Sequence, residues 1–413
     1  GDVLVFLPGE RDIRDVARAL RSRTSTGMDV LPLYSRLSLD QQAKVFQPHG
    51  GRRIVLATNV AETSITVPGI RYVIDPGNAR ISRYSARSRV QRLPIEPVSQ
   101  ASANQRAGRC GRVQNGICIR LYDEDDFENR EPFTQPEILR SNLAGVILRM
   151  LALGLGEVST FPFIEPPRRA MIEEGYETLH ELGAINEQAQ LTSVGRTLAR
   201  LPIDPRLGRM LLAAMSTGAL REVLVIVAGL SIHDPRERPA DRLDAADRAH
   251  QMFADDASDF MALLNLWNWY HERVREGPWS AVKRACVDQF VSFIRMREWQ
   301  DVHHQLRESC REIDASARTS LNAAPADFDA IHRALLAGLL SQIGRRDDRE
   351  RGRYLGANAT TFHIFPGSCL YRTTPRWVVG SDIIETKKRY AHGLARVRTD
   401  WIEEAAGHLV KRT

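Results

Sequence analysis

The stretch Gln105-Arg106-Ala107-Gly108-Arg109-Cys110-Gly111-Arg112 sets three arginines at a spacing of three, with two glycines among them and a glutamine in front. Arginine stays charged and presents a planar fork of donors, so arginines three apart at a helical turn converge on one multiply charged anion, a triphosphate above all. The plain alternative is a set of structural ion pairs. Which of the two holds depends on what the flanking chain builds around the cluster.

Working outward, an apolar run at residues 3–7 ends at Pro8-Gly9 and leads into a helical pattern over 12–20, with Ile13, Val16, Ala17 and Leu20 on one face. The unit recurs: residues 30–33 precede a helical pattern at 38–46, residues 54–57 precede a loop at Asn59, and residues 72–74 end at Asp75-Pro76-Gly77. Residues 116–121, just after the arginine cluster, form the last strand pattern of this region, which closes near Gln135. Fully apolar strands separated by helices predict a parallel sheet covered on both faces, with ligands at the carboxyl ends of its strands. The arginine cluster is expected at that edge.

The 413 residues exceed what one core usually serves, so three or four domains are expected. Hydrophobic residues make up 43% with no apolar run near the length of a membrane span and no signal peptide, which predicts a soluble intracellular protein that does not engage a membrane. The five cysteines are odd in number and include no Cys-x-x-Cys pair, which argues against a disulfide framework and a structural zinc site. Net charge is +6, and its distribution matters more than its size. Residues 76–122 carry Arg80, Arg83, Arg87, Arg89, Arg92, Arg106, Arg109, Arg112 and Arg120 against the single acid Glu96, and such one-sided charge favours a polyanionic partner.

Residues 81–99 read as a basic hairpin projecting from the sheet, the alternative being an ordinary surface loop. From Pro136 the pattern turns helical, and two or three short helices with a short strand near Leu191-Thr192 predict a winged-helix-like domain over 136–204. A longer helical domain follows over 205–325, with main segments at 207–215, 220–230, 260–270 and 281–306, a mobile charged connection at 240–250 and a linker at 322–326. Trp267, Trp269, Trp279 and Trp299 are assigned to its core. Residues 326–413 begin with a helix over 328–343 and a basic turn at 345–353, then short strands between Gly, Pro and Asn turns, which predict a small OB-type barrel. Arg351, Arg353, Lys387, Lys388 and Arg389 could line a nucleic-acid backbone groove there, or only keep the surface soluble.

Three stretches of the first domain, in order, resemble the second RecA-like half of a DEAH-box RNA helicase. Leu4-Val5-Phe6-Leu7-Pro8-Gly9 resembles motif IV, Ala57-Thr58-Asn59-Val60-Ala61-Glu62-Thr63-Ser64 resembles motif V, and the arginine cluster resembles motif VI. The domain order that follows resembles the same family, closest to its bacterial HrpA-type members, across essentially the whole chain. The resemblance implies a RecA-like α/β domain over 1–135, then winged-helix, helical ratchet and OB-like domains. It implies ATP with Mg2+ as cofactor, single-stranded RNA or an RNA duplex as partner, ribosome or mRNA complexes as further candidates, a bacterial cytoplasm as location, and 3′ to 5′ movement with duplex unwinding.

Residue by residue, it implies that Arg109 and Arg112 act as arginine fingers on the γ-phosphate and that Gln105 meets that phosphate and the attacking water. Gly108 and Gly111 would admit close backbone approach, a side chain there colliding with neighbouring strands or phosphate, and Arg106 would be structural or interdomain. Thr58 and Asn59 would hold an RNA phosphate, while Ser64, in the same loop, would stand nearer the nucleotide. Phe46 resembles the adenine-stacking aromatic, with a place in the core as the alternative. The loop Gly9-Glu10-Arg11 would hook the RNA backbone through Gly9 and Arg11, and the hairpin with Arg87 and Arg89 would help separate strands. Pro68-Gly69 stands where relatives place a ribose-binding aspartate, so that contact is not expected here.

No Gly-x-x-x-x-Gly-Lys-Ser/Thr, no Gly-Lys pair and no Asp-Glu-Ala-His occurs in the sequence. The expectation is therefore a fragment whose first RecA-like domain, with its Mg2+ ligands, lies elsewhere, and which shows no ATPase alone. Two other functions compete: a non-catalytic RNA-binding module, which explains the basic hairpin and barrel but not the arginine spacing, and a DNA-directed helicase of a related branch. The coding sequence upstream of Gly1 discriminates them.

Overall fold

Apolar runs in which successive residues must all be covered form strands only where layers lie on both sides of the sheet. A computed structural model describes residues 1–23, 28–35, 37, 39–63, 66–85, 90–112, 114–239, 241–313, 321–350, 352–386 and 388–409. The chain divides into two compact units, Gly1–Arg83 with Leu93–Pro136, and Tyr84–Arg92 with Glu137–Thr413.

The first stretch contains β1 (Asp2–Phe6), α1 (Glu10–Arg21), β2 (Met28–Leu33), α2 (Leu39–Ala43), β3 (Arg52–Ala57), α3 (Val60–Thr63) and β4 (Ile70–Asp75). A ribbon follows, β5 (Asn78–Arg80), β6 (Arg83–Ser85), β7 (Val90–Arg92) and β8 (Ile95–Pro97), then α4 (Gln100–Ala107), β9 (Ile117–Arg120) and α5 (Glu124–Glu128). Five strands pair in parallel in the order β2-β3-β1-β4-β9. Neighbouring residues serve opposite faces: Val55 and Ala57 join Leu4, Phe6, Leu33 and Val73 on one side, while Leu56 joins Ile13, Ala17 and Val30 on the other. The strand ends carry loops because each parallel connection must return through a crossover.

Beyond Tyr84–Arg92, the second unit holds α6 (Ala144–Leu153), α7 (Arg169–Glu181) and α8 (Ser193–Leu198), with an isolated bridge between Ile185 and Leu191. Gly154 (φ 65°) and Gly183 (φ 66°) end α6 and follow α7 in the left-handed conformation that glycine tolerates. Seven further helices follow: α9 (Pro205–Thr217), α10 (Leu220–Leu230), α11 (Leu243–His250), α12 (Asp259–Glu276), α13 (Trp279–Asp288), α14 (Phe293–Ile313) and α15 (Phe328–Leu336). Their core centres on Trp299, whose Nε1 donates to Val225 O at 2.9 Å.

Four expectations fail here for local reasons. Within the stretch expected as a mobile connection, Leu243–His250 forms α11, with Ala246 buried. The segment 281–306 is two helices, broken where Phe290 takes φ 52° and its carbonyl accepts from Glu237 N at 2.7 Å. Trp279 is 49% exposed, capped by Arg297 at 5.0 Å, because it stands at the first turn of α13. The helix expected over 328–343 stops at Leu336, since Gly338 packs so tightly on the Arg206 carbonyl that a Cβ would come within 2.3 Å.

The chain closes with β10 (Ile343–Arg346), β11 (Arg353–Gly356), β12 (Thr361–Ile364), β13 (Trp377–Glu385), β14 (Arg389–Arg396) and α16 (Thr399–Ala405). The strands run in the order β10-β11-β12-β14-β13, and β10 pairs β13 to close a five-stranded barrel over Tyr354, Phe362, Val378 and Leu394. The predicted OB-like barrel is therefore present, as are the parallel sheet and the winged-helix and helical regions between them. The ribbon departs from a free projection. β5 and β8 pair with each other, whereas β7 runs parallel to β13 and extends the barrel sheet, with β6 outermost.

Candidate functional site

The site grows from a helix start. Ser99 caps α4 by accepting from Ser102 N, and the helix then presents Ser102, Arg106 and, past its end, Arg109 toward α3. Arg106 is 1% exposed: its Nη1 lies 2.8 Å from Asp75 Oδ1, its Nε lies 3.0 Å from Glu62 Oε2, and the guanidinium sits 4.7 Å from the Phe6 ring centroid. Glu62 also accepts from Ser102 Oγ at 2.5 Å, and Asp75 from Gly77 N at 2.9 Å and Tyr122 Oη at 3.2 Å. Arg106 is thus a structural arginine, binding α4 to α3 and to the end of β4.

Arg109 donates to the Glu62 carbonyl and Arg112 to Thr66 Oγ1. Together they line one small recess with Ala61, Thr66, Val67 and Ile70. Burial, and next the neighbouring Arg112 charge, lower the pKa of Arg109, while Glu62 opposes the shift. Two guanidinium groups held this close attract an anion with at least two negative charges.

The position of this recess corrects the sequence expectation. Ile70 is the first residue of β4, Leu4 lies midway along β1 and Ala61 belongs to α3, so the arginine pair lies alongside the strands, between the entrance of β4 and the helix that follows β3, and not at the carboxyl edge itself. The reason is the crossover: α4 returns antiparallel to the strands before β9 begins, and carries its C-terminal arginines back with it. For the glycines, the part of the expectation that concerns neighbouring strands fails as well. A Cβ at Gly108 would meet only the Gln105 and Asn104 carbonyls at 3.4 and 3.5 Å, and one at Gly111 nothing within 4 Å. No neighbouring strand demands glycine there.

The carboxyl edge carries the other candidates. Thr58 follows β3, where its N–H donates to Leu33 O at 3.2 Å, and Asn59 is exposed beside it. Gly9 follows the adjacent β1, extended at φ −164° and with Arg80 Nε 3.1 Å from where a Cβ would stand, so a side chain there would press on that arginine. Arg11 is exposed, 3.8 Å from Asp15. Gln105 is exposed on α4, and Phe46 is 43% exposed, which removes its core alternative. Of the five basic residues of the expected barrel groove, Arg353 is tied to Glu350 at 2.7 Å and Asp347 at 3.3 Å and Arg389 to Glu385 at 2.7 Å, so these two already meet acids, while Lys388 is exposed. Ser64, Arg87, Arg89, Arg351 and Lys387 lie outside the described residues. Glu62 and Asp75, which organise the arginines, had no role in the sequence analysis. Their signal was two acids at strand and helix ends in a region otherwise stripped of them.

Among the described residues no cluster of three or more His, Cys, Asp or Glu side chains forms a metal site, and no helix is long and apolar enough to cross a membrane.

Four domain families match the chain consecutively: the helicase conserved C-terminal domain over 1–114, the winged-helix helicase associated domain over 176–203, its ratchet-like companion over 204–263, and the oligonucleotide/oligosaccharide-binding fold over 331–409. Fold and matches define the C-terminal part of a helicase core. The whole chain is 53% identical to the ATP-dependent RNA helicase HrpA of Escherichia coli K12 and 51% identical to the HrpA homolog of Haemophilus influenzae. It spans 32% of the length of each. The chain belongs to the DEAH-box RNA helicase family, in its bacterial HrpA-type branch.

Proposed function

We propose that this chain is the RNA-gripping and nucleotide-sensing half of an ATP-dependent RNA helicase that moves 3′ to 5′ on single-stranded RNA and opens duplexes. The observation that carries the proposal is the convergence of Arg109 and Arg112 on the loop that continues from Thr58 and Asn59. ATP bound against this half supplies the γ-phosphate whose developing charge the two guanidiniums neutralise, Arg109 from the shelter of the recess and Arg112 from its exposed rim. Gln105, exposed on α4, orients the attacking water. The Mg2+ that the family implies finds no ligand set among the described residues, and no step is assigned to it.

At the carboxyl edge, Thr58 and Asn59 present a hydroxyl, an amide and backbone N–H groups to an RNA phosphate, and Gly9 with Arg11 hooks the backbone on the adjacent strand end. Arginine pair and RNA loop share one covalent path: Thr58 and Asn59 open α3, whose Glu62 carbonyl receives Arg109, and Thr66 beyond it receives Arg112. A shift of the arginines when phosphate binds or leaves therefore pulls on the RNA loop through less than two turns of helix. Support for RNA over DNA comes from the names of the two relatives. The test is RNA-stimulated ATP turnover by the intact protein with Arg109→Ala, measured beside RNA affinity: turnover is lost and affinity stays.

A further inference from the structure

The ribbon is held in a way that a surface wedge does not need. β7 pairs in parallel with β13, setting Gln91 opposite Ile384 and Arg92 opposite Glu385. Arg92 Nη2 stands 3.3 Å from Glu385 Oε1, whose other oxygen is 2.7 Å from Arg389 Nε. That lock is half-exposed and worth little by itself. On β6 the arrangement differs. Tyr84 N donates to Arg140 O at 2.9 Å, and Tyr84 Oη donates to Glu174 Oε1 at 2.7 Å. Glu174 is 4% exposed on α7. Its oxygens also accept from Asn142 Nδ2 at 2.9 and 2.7 Å and from Thr178 Oγ1 at 3.0 Å.

A buried carboxylate must be supplied with donors, and each donor removed leaves charge uncompensated. Among the described residues, Tyr84 is the donor that the ribbon contributes. Burial, and then the Glu174 charge, push the Tyr84 hydroxyl pKa up, so it remains a donor throughout the physiological range. Ribbon strands whose only task was to stay soluble would not place a phenol on a buried acid of a neighbouring helix.

We propose that Tyr84 is a positioning residue for strand separation: its hydroxyl, seated on Glu174, fixes β6 and β7 to the body that carries α7 and β13, so the ribbon meets the duplex as a rigid edge of that body. The role in strand separation rests on the helicase function proposed above; the anchoring does not. The ribbon's base, β5 and β8, belongs to the sheet unit, so without this anchor the described strand residues beyond Arg83 and Leu93 would keep the Tyr84 N–Arg140 O bond, the parallel pairing and the half-exposed ion pairs, but no side-chain bond to Glu174.

The test uses the intact protein carrying Tyr84→Phe, which removes one hydroxyl and keeps the ring, with Glu174→Gln, which keeps an acceptor, as the milder companion. Amide exchange in β6 and β7 is expected to rise about tenfold in Tyr84→Phe, as for loss of a hydrogen bond to a charged group, with β1 to β4 unchanged. Duplex unwinding per ATP hydrolysed is expected to fall several-fold while RNA-stimulated turnover and single-strand affinity hold within about twofold. A merely structural loss would lower turnover and unwinding together. Unchanged exchange in β6 and β7 overturns the anchor, and raised exchange with unwinding per ATP intact overturns the positioning role. Raised exchange in a protein whose wild type shows no RNA-stimulated turnover overturns the helicase function and the positioning role with it, and upholds the anchor alone.

Discussion

Replacing Arg106 by alanine removes the cation from the best-enclosed polar site of the first unit. Its guanidinium lies 2.8 Å from the fully buried Asp75 and 3.0 Å from Glu62. After the substitution, Asp75 keeps the Gly77 N–H and the Tyr122 hydroxyl, with Arg130 near enough to feel its charge, and Glu62 keeps Ser102. Removing one partner of a buried pair costs about 3–5 kcal/mol, and the surviving donors place this case near the lower end, about 3 kcal/mol. A chain of several domains has no single unfolding free energy, so the assay is amide exchange of β4 across a urea series. Arg106→Met, which restores volume without charge, loses stability as well, and adding Asp75→Asn recovers part of it. A loss under about 1 kcal/mol, the range of an exposed pair, would refute the assignment of Arg106 as the structural arginine. The separation of its role from those of Arg109 and Arg112 would fall too.

Acid should weaken the second unit through buried histidines. Burial pushes His332 and His303 down to about 4; His332 has its ring nitrogens on Phe328 O and Ser258 Oγ, both at 2.7 Å. The folded state then binds fewer protons than the unfolded chain, so their contribution is full above about pH 6.5 and drains as pH falls toward 4, on the order of 3 kcal/mol for His332. Denaturation midpoints of the second unit that stay flat between pH 7 and 4.5 would contradict this. Gly229→Ala should destabilise although alanine normally improves a helix interior by roughly 0.5–1 kcal/mol, because a Cβ would stand 2.6 Å from Trp299 Cζ2. A loss of about 1–3 kcal/mol is expected from amide exchange of α10 across a urea series, and a gain would show that Trp299 has room to move.

The sheet was legible because burial on both faces leaves little freedom of composition: Val55, Leu56 and Ala57 in a row have few other uses. The barrel was legible from its turns, yet its first strand was missed, since residues 343–346 were divided between a helix end and a basic turn, whereas Gly344 lies in β10 and clears the Phe362 ring, 2.3 Å from where a Cβ would lie. Spacing brought Arg109 and Arg112 together but could not say where along the sheet they lie, since that follows from the direction in which α4 returns. Nor could it find the acids that orient the helix, because Glu62 and Asp75 are distant in sequence from Arg106, by 44 and 31 residues. The tryptophans show the same limit: Trp279 and Trp299 share one composition signal, and only helix ends separate an exposed ring from a buried one.

The central claim is that Arg109 answers to the γ-phosphate and not to the fold. It is tested by single-turnover ATP hydrolysis of the intact protein, with and without saturating RNA, comparing wild type with Arg109→Ala. The account predicts a fall of about a thousandfold or more in the hydrolysis rate, with RNA affinity and the unfolding midpoint unchanged. Hydrolysis at the wild-type rate in the variant would contradict it, and would return Arg109 to the role of a helix-end tether on Glu62.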